Sequence, residues 1–276
     1  MSKRGIYKSP DELRALVAPG LLTAQALAAV RAAIVPGVST LELDAIAERV
    51  ILAGGGLPNF AMEPGYSHTI CASINEAVVH GVPGDRRVEA GDIVSIDCGA
   101  EVDGWNGDAA FSVVVADGTR AALVASRQRL ANATEKSLWA GIASLATAST
   151  LADVGAAVED AIDSVGDDFG IIEDFTGHGI GRSMHEDPPV FNYRVRGRQP
   201  AVKPGLVVAI EPMVTLGTIE THELDDGWTI VTDDATDAAH WEHSVAVHAG
   251  GIWVLTAADG GAAGLAPFGI VPVAIA

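Results

Sequence analysis

Cysteine is nearly missing from this chain of 276 residues: only Cys71 and Cys98 occur. Two isolated thiols give neither a paired-cysteine metal motif nor a disulfide framework, as expected of a reducing compartment. Any bound metal must therefore be held by oxygens and imidazoles. Basic residues are also scarce, 17 against 36 acidic ones, for a net charge of −19. Such a field repels phosphate backbones and anionic lipid, which argues against nucleic acid and membrane surfaces as partners. A basic cluster, "MSKRGIYK" at the start, is too small to reverse this and is expected to be a frayed terminus. No run of about 18 uninterrupted apolar residues is available for a membrane span, and the start lacks the apolar segment of a secretory signal. A cytoplasmic protein with a sizeable core is expected.

What is present alternates between helix and strand patterns. "GVSTLELDAIAERVILAGGG" has Ser39 as a cap, Glu42 three positions on, and Leu43, Ile46, Val50 and Ile51 at helical spacing. A similar phrase begins at Ala148, with Ser149, Thr150 and Leu151 standing 110 positions after Ser39, Thr40 and Leu41, a hint of two related halves. Further helices are expected over residues 21–34, after a break at Pro19 and Gly20, and over 120–145. Strand-like runs are "IVSIDCGAEV", "AAFSVVVA", "LVVAIEPMV", "GWTIVT" and "HSVAVHAGGIWVLT". Hairpins rather than regular helical crossovers favour an α+β fold with an antiparallel-rich sheet covered by helices. Residues 1–256 are expected to form one domain, and the Gly/Ala/Pro-rich residues 257–276 an irregular extension.

Several acids sit where strands should be. Asp97 and Asp108 flank turn residues Asp103 and Gly104, so they read as partners across a hairpin, with carboxylates within about 5 to 8 Å when both share a face. Glu211 ends an apolar run before Pro212, and Glu242 heads another. Ionised carboxylates among apolar strand residues cost several kcal/mol each unless paired. Lys203 is the only Lys or Arg after Gln199, so a cation is the simpler partner, with a distant arginine as the alternative. Four carboxylates balance two divalent ions, and His178 in "GHGIGRSMHEDP" would add a neutral nitrogen. That donor set suits cobalt, manganese, iron(II), zinc or nickel better than a sulfur-rich structural zinc site. Metals about 3.5 to 4 Å apart can share a hydroxide that attacks a carbonyl.

The phrases "SINEAVVHGVP", "DCGAEVDGWNGDAAFSV", "GHGIGRSMHEDP", "AIEPMV" and "WEHSV", in this order, closely resemble the type I methionine aminopeptidases, from about Ser9 to Thr256. The resemblance implies a "pita-bread" fold of two pseudo-symmetric halves, two divalent ions per chain, and removal of the initiator methionine from nascent polypeptides whose second residue is small. It implies that Asp97 chelates one metal, Asp108 and Glu242 bridge both, and His178 and Glu211 bind the other. His185 then hydrogen-bonds the scissile carbonyl, His80 contacts the amide nitrogen on the leaving-group side, and Glu211 moves the proton. Tyr66, Cys71, Trp228 and Met184 match the pocket for the methionine side chain, Met184 departing from a more usual aromatic residue. His68, His222, His240, His243 and His248 are read as ordinary packed or surface histidines. A monomer is expected, with ribosome docking left open. The alternatives are a proline-directed peptidase, whose extra N-terminal domain the roughly 80 residues before His80 leave little room for, and a metal-free binding protein.

Overall fold

In the computed structural model, which describes residues 5–166 and 169–276, a nine-stranded sheet forms the spine of the molecule. The first four residues of the basic N-terminal cluster lie outside the described part. The centre of the sheet is the expected hairpin, Ile93–Val102 paired antiparallel with Trp105–Val114 through the whole length of both strands. Asp103 and Gly104 make its turn with φ of 51° and 73°, the left-handed pair that a two-residue hairpin requires. Glu242–His248 follows Trp105–Val114 in the sheet, then Val207–Ile210, Gly177–Gly179 and Glu186–Val190. Gly251–Val254 pairs on the far part of Glu242–His248, and Ile70–Ile74 pairs with Ile93–Val102.

Two helix pairs cover the sheet. Val17–Ala33 packs with Thr40–Ala53, and Ala121–Ser144 with Ala152–Asp163. The first turn of Thr40–Ala53 is held by the Ser39–Glu42 capping box, each side chain accepting from the other's backbone N–H. In the related second phrase no side chain caps the helix Ala152–Asp163; Asp153 in its first turn instead accepts from the N–H groups of Ser149 and Thr150, which precede it. Each phrase also makes a backbone bridge, Ser39 to Arg87 in the first and Thr150, one position further along, to Ala201 in the second. The pseudo-symmetric, helix-covered antiparallel sheet is the pita-bread arrangement.

Alternation along the strands separates two chemistries. Val94, Ile96, Cys98 and Ala100 join Leu22, Ala26, Val30, Leu43 and Ile51 in the main core, each fully buried Leu or Ile contributing about 2 to 3 kcal/mol. The intervening Ser95, Asp97 and Gly99 face the other side, which is left free for polar groups.

Some boundaries differ from expectation. The helix expected from residue 21 starts at Val17 and runs through Pro19 and Gly20. Proline is tolerated in a first turn because its missing N–H would have had no intrahelical partner there. Gly20 is needed for contact: a Cβ would lie 2.6 Å from the Leu255 carbonyl oxygen, and one on Gly107 would lie 2.7 Å from Pro19. The helix end thus rests on sheet backbone. Although the Pro10–Ala33 stretch is long and apolar enough for a bilayer, half of its most apolar window is buried inside the fold. "LVVAIEPMV" is two strands, Val207–Ile210 and Met213–Thr215, because Pro212 has no N–H for a ladder. Residues 257–276 contain the short helix Ala262–Leu265, with Leu265 buried in the main core, and Val273 donates to the Ile252 carbonyl.

Candidate metal centre

Five neighbouring strands each deliver one side chain to the face away from the helices. Asp97 pairs with Ala110, and Ala110 pairs with Glu242, so the two acids flank a small residue in one row. Asp108 lies two residues before Ala110, opposite Gly99, and so shares that face. Glu211 directly follows Val207–Ile210, and His178 is the middle residue of Gly177–Gly179. The result is three overlapping clusters whose donor atoms lie within 4.8 Å of one another: Asp97, Asp108 and Glu242; His178, Glu211 and Glu242; Asp108, His178 and His185. Glu242 is common to the first two, Asp108 to the first and third, and His178 to the second and third.

The charges in this cluster are unbalanced by protein. Among the described residues the ion pairs of these carboxylates are with histidine alone: His178 Nε2 lies 3.4 Å from Glu211 Oε1 and 3.9 Å from Asp108 Oδ2, and His240 Nε2 lies 3.9 Å from Glu211 Oε2. Among the described residues no lysine or arginine takes the place of a cation. Asp97 Oδ1, Asp108 Oδ1 and Glu242 Oε1 are buried without hydrogen-bond partners. Burial pushes the Asp97 carboxyl up to about 7. Burial, then the neighbouring carboxylates, push Asp108, Glu211 and Glu242 well above the usual range. Burial first, then His185, pulls the His178 imidazole down to about 4, keeping it neutral. Its Nδ1 lies 3.0 Å from the Gly179 carbonyl oxygen, so the proton belongs there and the Nε2 lone pair points at the acids. Orphaned carboxylate oxygens and an oriented neutral imidazole are the donor set of an oxygen-rich divalent metal site.

A cavity of about 660 Å³, including its mouth, opens onto the cluster. All the residues expected around the substrate line it: Tyr66, Cys71, His80, Met184, His185 and Trp228, together with Phe60, Glu63 and Val79. Its apolar wall is a small packed group of Phe60, Tyr66, Cys71 and Met184, with Val82 and Trp228 against it. Tyr66 is fixed by its hydroxyl, which donates to the Ile70 carbonyl at 2.7 Å, and by an edge contact with the Trp228 ring at 4.9 Å. Met184 is buried, whereas His185 stands exposed at the mouth, its ring 4.4 Å from that of His178. Desolvation by the cavity wall lowers the His185 imidazole, and the Glu63 charge opposes this. His80 has a left-handed backbone, φ 59°, a conformation uncommon for a non-glycine residue.

The structure adds one histidine that the sequence gave no reason to single out. His240 is 2% exposed and faces Glu211. Its only signal was its position two residues before Glu242, which puts both on one face of an extended chain. His68, by contrast, lies 3.3 Å from Asp44, His243 Nδ1 lies 2.8 Å from Thr256 Oγ1, and His222 and His248 are outside the site.

Comparison with known proteins agrees with this geometry. The profile of metallopeptidase family M24 matches residues 16–249. A methionine aminopeptidase 1 of Mycobacterium tuberculosis is 49% identical over 254 residues, covering 90% of this chain and 94% of its own. That of Bacillus subtilis is 37% identical, with 91% and 98% covered. Crystal structures of the methionine aminopeptidases from Thermotoga maritima and Rickettsia prowazekii superpose with TM-scores of 0.84 at 35% and 30% identity, each over 91% of this chain and 98% and 99% of theirs. A prolidase from Pyrococcus furiosus shares the fold at a TM-score of 0.69 and 20% identity, with 65% of its chain covered. With about nine tenths of it matched to these relatives and the acid and imidazole cluster in place, the chain belongs to metallopeptidase family M24 and, within it, to the methionine aminopeptidases.

Proposed function

We propose that this chain removes the initiator methionine from nascent polypeptides whose second residue is small, acting in the cytoplasm as a monomer. One observation carries the reading: carboxylates and an imidazole from five strands converge at the floor of a cavity with an apolar side wall. Asp97, Asp108, His178, Glu211 and Glu242 would hold two divalent ions. When bound, such ions supply Lewis acidity and lower the pKa of a coordinated water.

The chain's own residues do the rest. The side wall of Tyr66, Cys71, Met184 and Trp228 excludes water and accepts an unbranched thioether; Met184 is flexible enough to follow its shape. The substrate's free amine lies toward the acids, so only a chain terminus fits. His185, at the mouth, donates to the scissile carbonyl oxygen as negative charge develops there. His80, across the cavity, contacts the amide nitrogen of the leaving residue. Glu211 carries a proton from the attacking water to that nitrogen, a task suited to a carboxyl whose pKa burial has raised. Residues 1–256 form the catalytic unit, and 257–276 an extension docked against it. The mouth's exposure at His185 and Glu63 leaves the rest of a polypeptide outside, as presentation at the ribosome would require.

The test is methionine release from a Met-Ala-Ser peptide, metal by metal, in the wild type and in Asp97→Ala. Release should require divalent metal, fall at least about 100-fold in the variant, and be absent with Pro-X and X-Pro peptides. Undiminished turnover by Asp97→Ala overturns the mechanism.

A further inference from the structure

We propose that His240 is a positioning residue for Glu211, donating through Nε2–H to the glutamate's Oε2 and so leaving Oε1 as the oxygen that faces the cavity. This rests on Glu211 being the proton carrier of the reaction. His240 ends the strand Ala238–His240 and pairs with Met213 of Met213–Thr215. Its backbone is locked to the central hairpin: the Ser112 hydroxyl lies 2.9 Å from both its N and its carbonyl oxygen. The side chain is therefore delivered to a fixed place, only 2% exposed, beneath the acids.

There its Nε2 is buried and has no hydrogen-bond partner. A buried polar nitrogen without a partner is costly and rarely left so. It faces Glu211 Oε2, 3.9 Å away, while Oε1 of the same carboxylate lies 3.4 Å from His178 Nε2. One imidazole thus stands at each oxygen of Glu211. The two rings differ in kind. His178 directs its Nδ1 to the Gly179 carbonyl and presents a lone pair from Nε2. His240 Nε2 belongs to none of the three clusters able to hold a cation, so its use is that of a donor. The 3.9 Å gap exceeds a normal N–H···O bond by about 1 Å, a distance closed by a small rotation of the glutamate side chain. With Oε2 so held, the carboxylate has one orientation and its proton one site.

Two variants and three measurements test this. His240→Leu keeps bulk and removes the donor; His240→Gln restores an N–H. Manganese titrated calorimetrically into metal-free protein should bind within about 3-fold of wild type in both, and KM for Met-Ala-Ser should move as little. For His240→Leu, kcat should fall about 10- to 100-fold, and His240→Gln should recover most of it. Unchanged kcat in His240→Leu, or a loss that follows metal affinity instead, overturns the proposal. Imidazole ¹⁵N NMR of the metal-loaded wild type is independent of turnover: a protected Nε2 proton on His240 supports the bond, and a bare or rapidly exchanging Nε2 refutes it. A wild type that releases no methionine would instead sink the functional reading, and the NMR result would still decide the role of His240.

Discussion

Metal removal should make this protein less stable as pH rises through neutrality, the reverse of the usual behaviour of a protein held by salt bridges. Asp97, Asp108 and Glu242 have oxygens within 4.8 Å of one another, where two unit charges repel by about 3 kcal/mol at an effective dielectric constant of about 20. Without cations the folded protein avoids this by keeping protons. A carboxyl whose folded pKa lies above its ordinary value binds a proton that the unfolded chain has lost, so stability falls as pH rises between the two values. Histidines lowered by burial act in the opposite sense: His178 and His243 are held near 4 and His240 near 3. They add stability as pH rises from those values to the ordinary 6.5, and nothing beyond it. Burial pushes Cys71 and Cys98 above their ordinary 9.0, which lowers stability only near that pH. Between pH 6.5 and 8 the slope therefore belongs to the carboxyls.

Each proton retained by the folded state costs about 1.4 kcal/mol per pH unit. For a chain of this size that is about 2 to 4 °C in melting midpoint. Metal-free protein followed by calorimetry should lose about 3 to 6 °C between pH 6.5 and 8 for a single retained proton, and saturating manganese should abolish the slope. An Asp108→Asn, Glu242→Gln double variant should melt with a shallower pH dependence in the same window, because Asp97 and Glu211, raised chiefly by burial, remain. A flat or rising midpoint for the metal-free wild type would refute the claim that these acids are unbalanced by the protein itself.

Ala110, between Asp97 and Glu242 in one row, should tolerate no bulk: Ala110→Leu is expected to keep its circular dichroism but weaken manganese binding more than about 100-fold by calorimetry, since the added carbons fill the space where the carboxylates meet. His185→Ala should retain metal content, measured by atomic emission, yet lose about 10²- to 10³-fold in kcat, the usual loss for a donor to a developing oxyanion; loss of the metals would make His185 a ligand instead.

Much of this molecule was legible because the relevant signals are local. The Ser39–Glu42 capping box, the Asp103–Gly104 turn and the alternation through "IVSIDCGAEV" each concern residues a few positions apart. Once the turn was located, the hairpin register followed, and with it the approach of Asp97 to Asp108. The isolation of Glu211 and Glu242 from basic neighbours pointed to a cation before any contact was known. The departures came from distant contacts. Pro19 and Gly20 read as a break, but the helix continues through them because the first turn tolerates proline and the Leu255 backbone leaves no room for a side chain.

By itself the sequence determined which side chains are acids and imidazoles, the strand or turn on which most of them lie, and the absence of nearby basic residues to neutralise them. Only the tertiary structure decided that Asp97, Ala110 and Glu242 share one row, that Glu211 lies between two histidines, and that His240 is one of them. The reason is physical: hairpin register is set by a short turn, whereas the order of strands across the sheet depends on packing between segments more than a hundred residues apart.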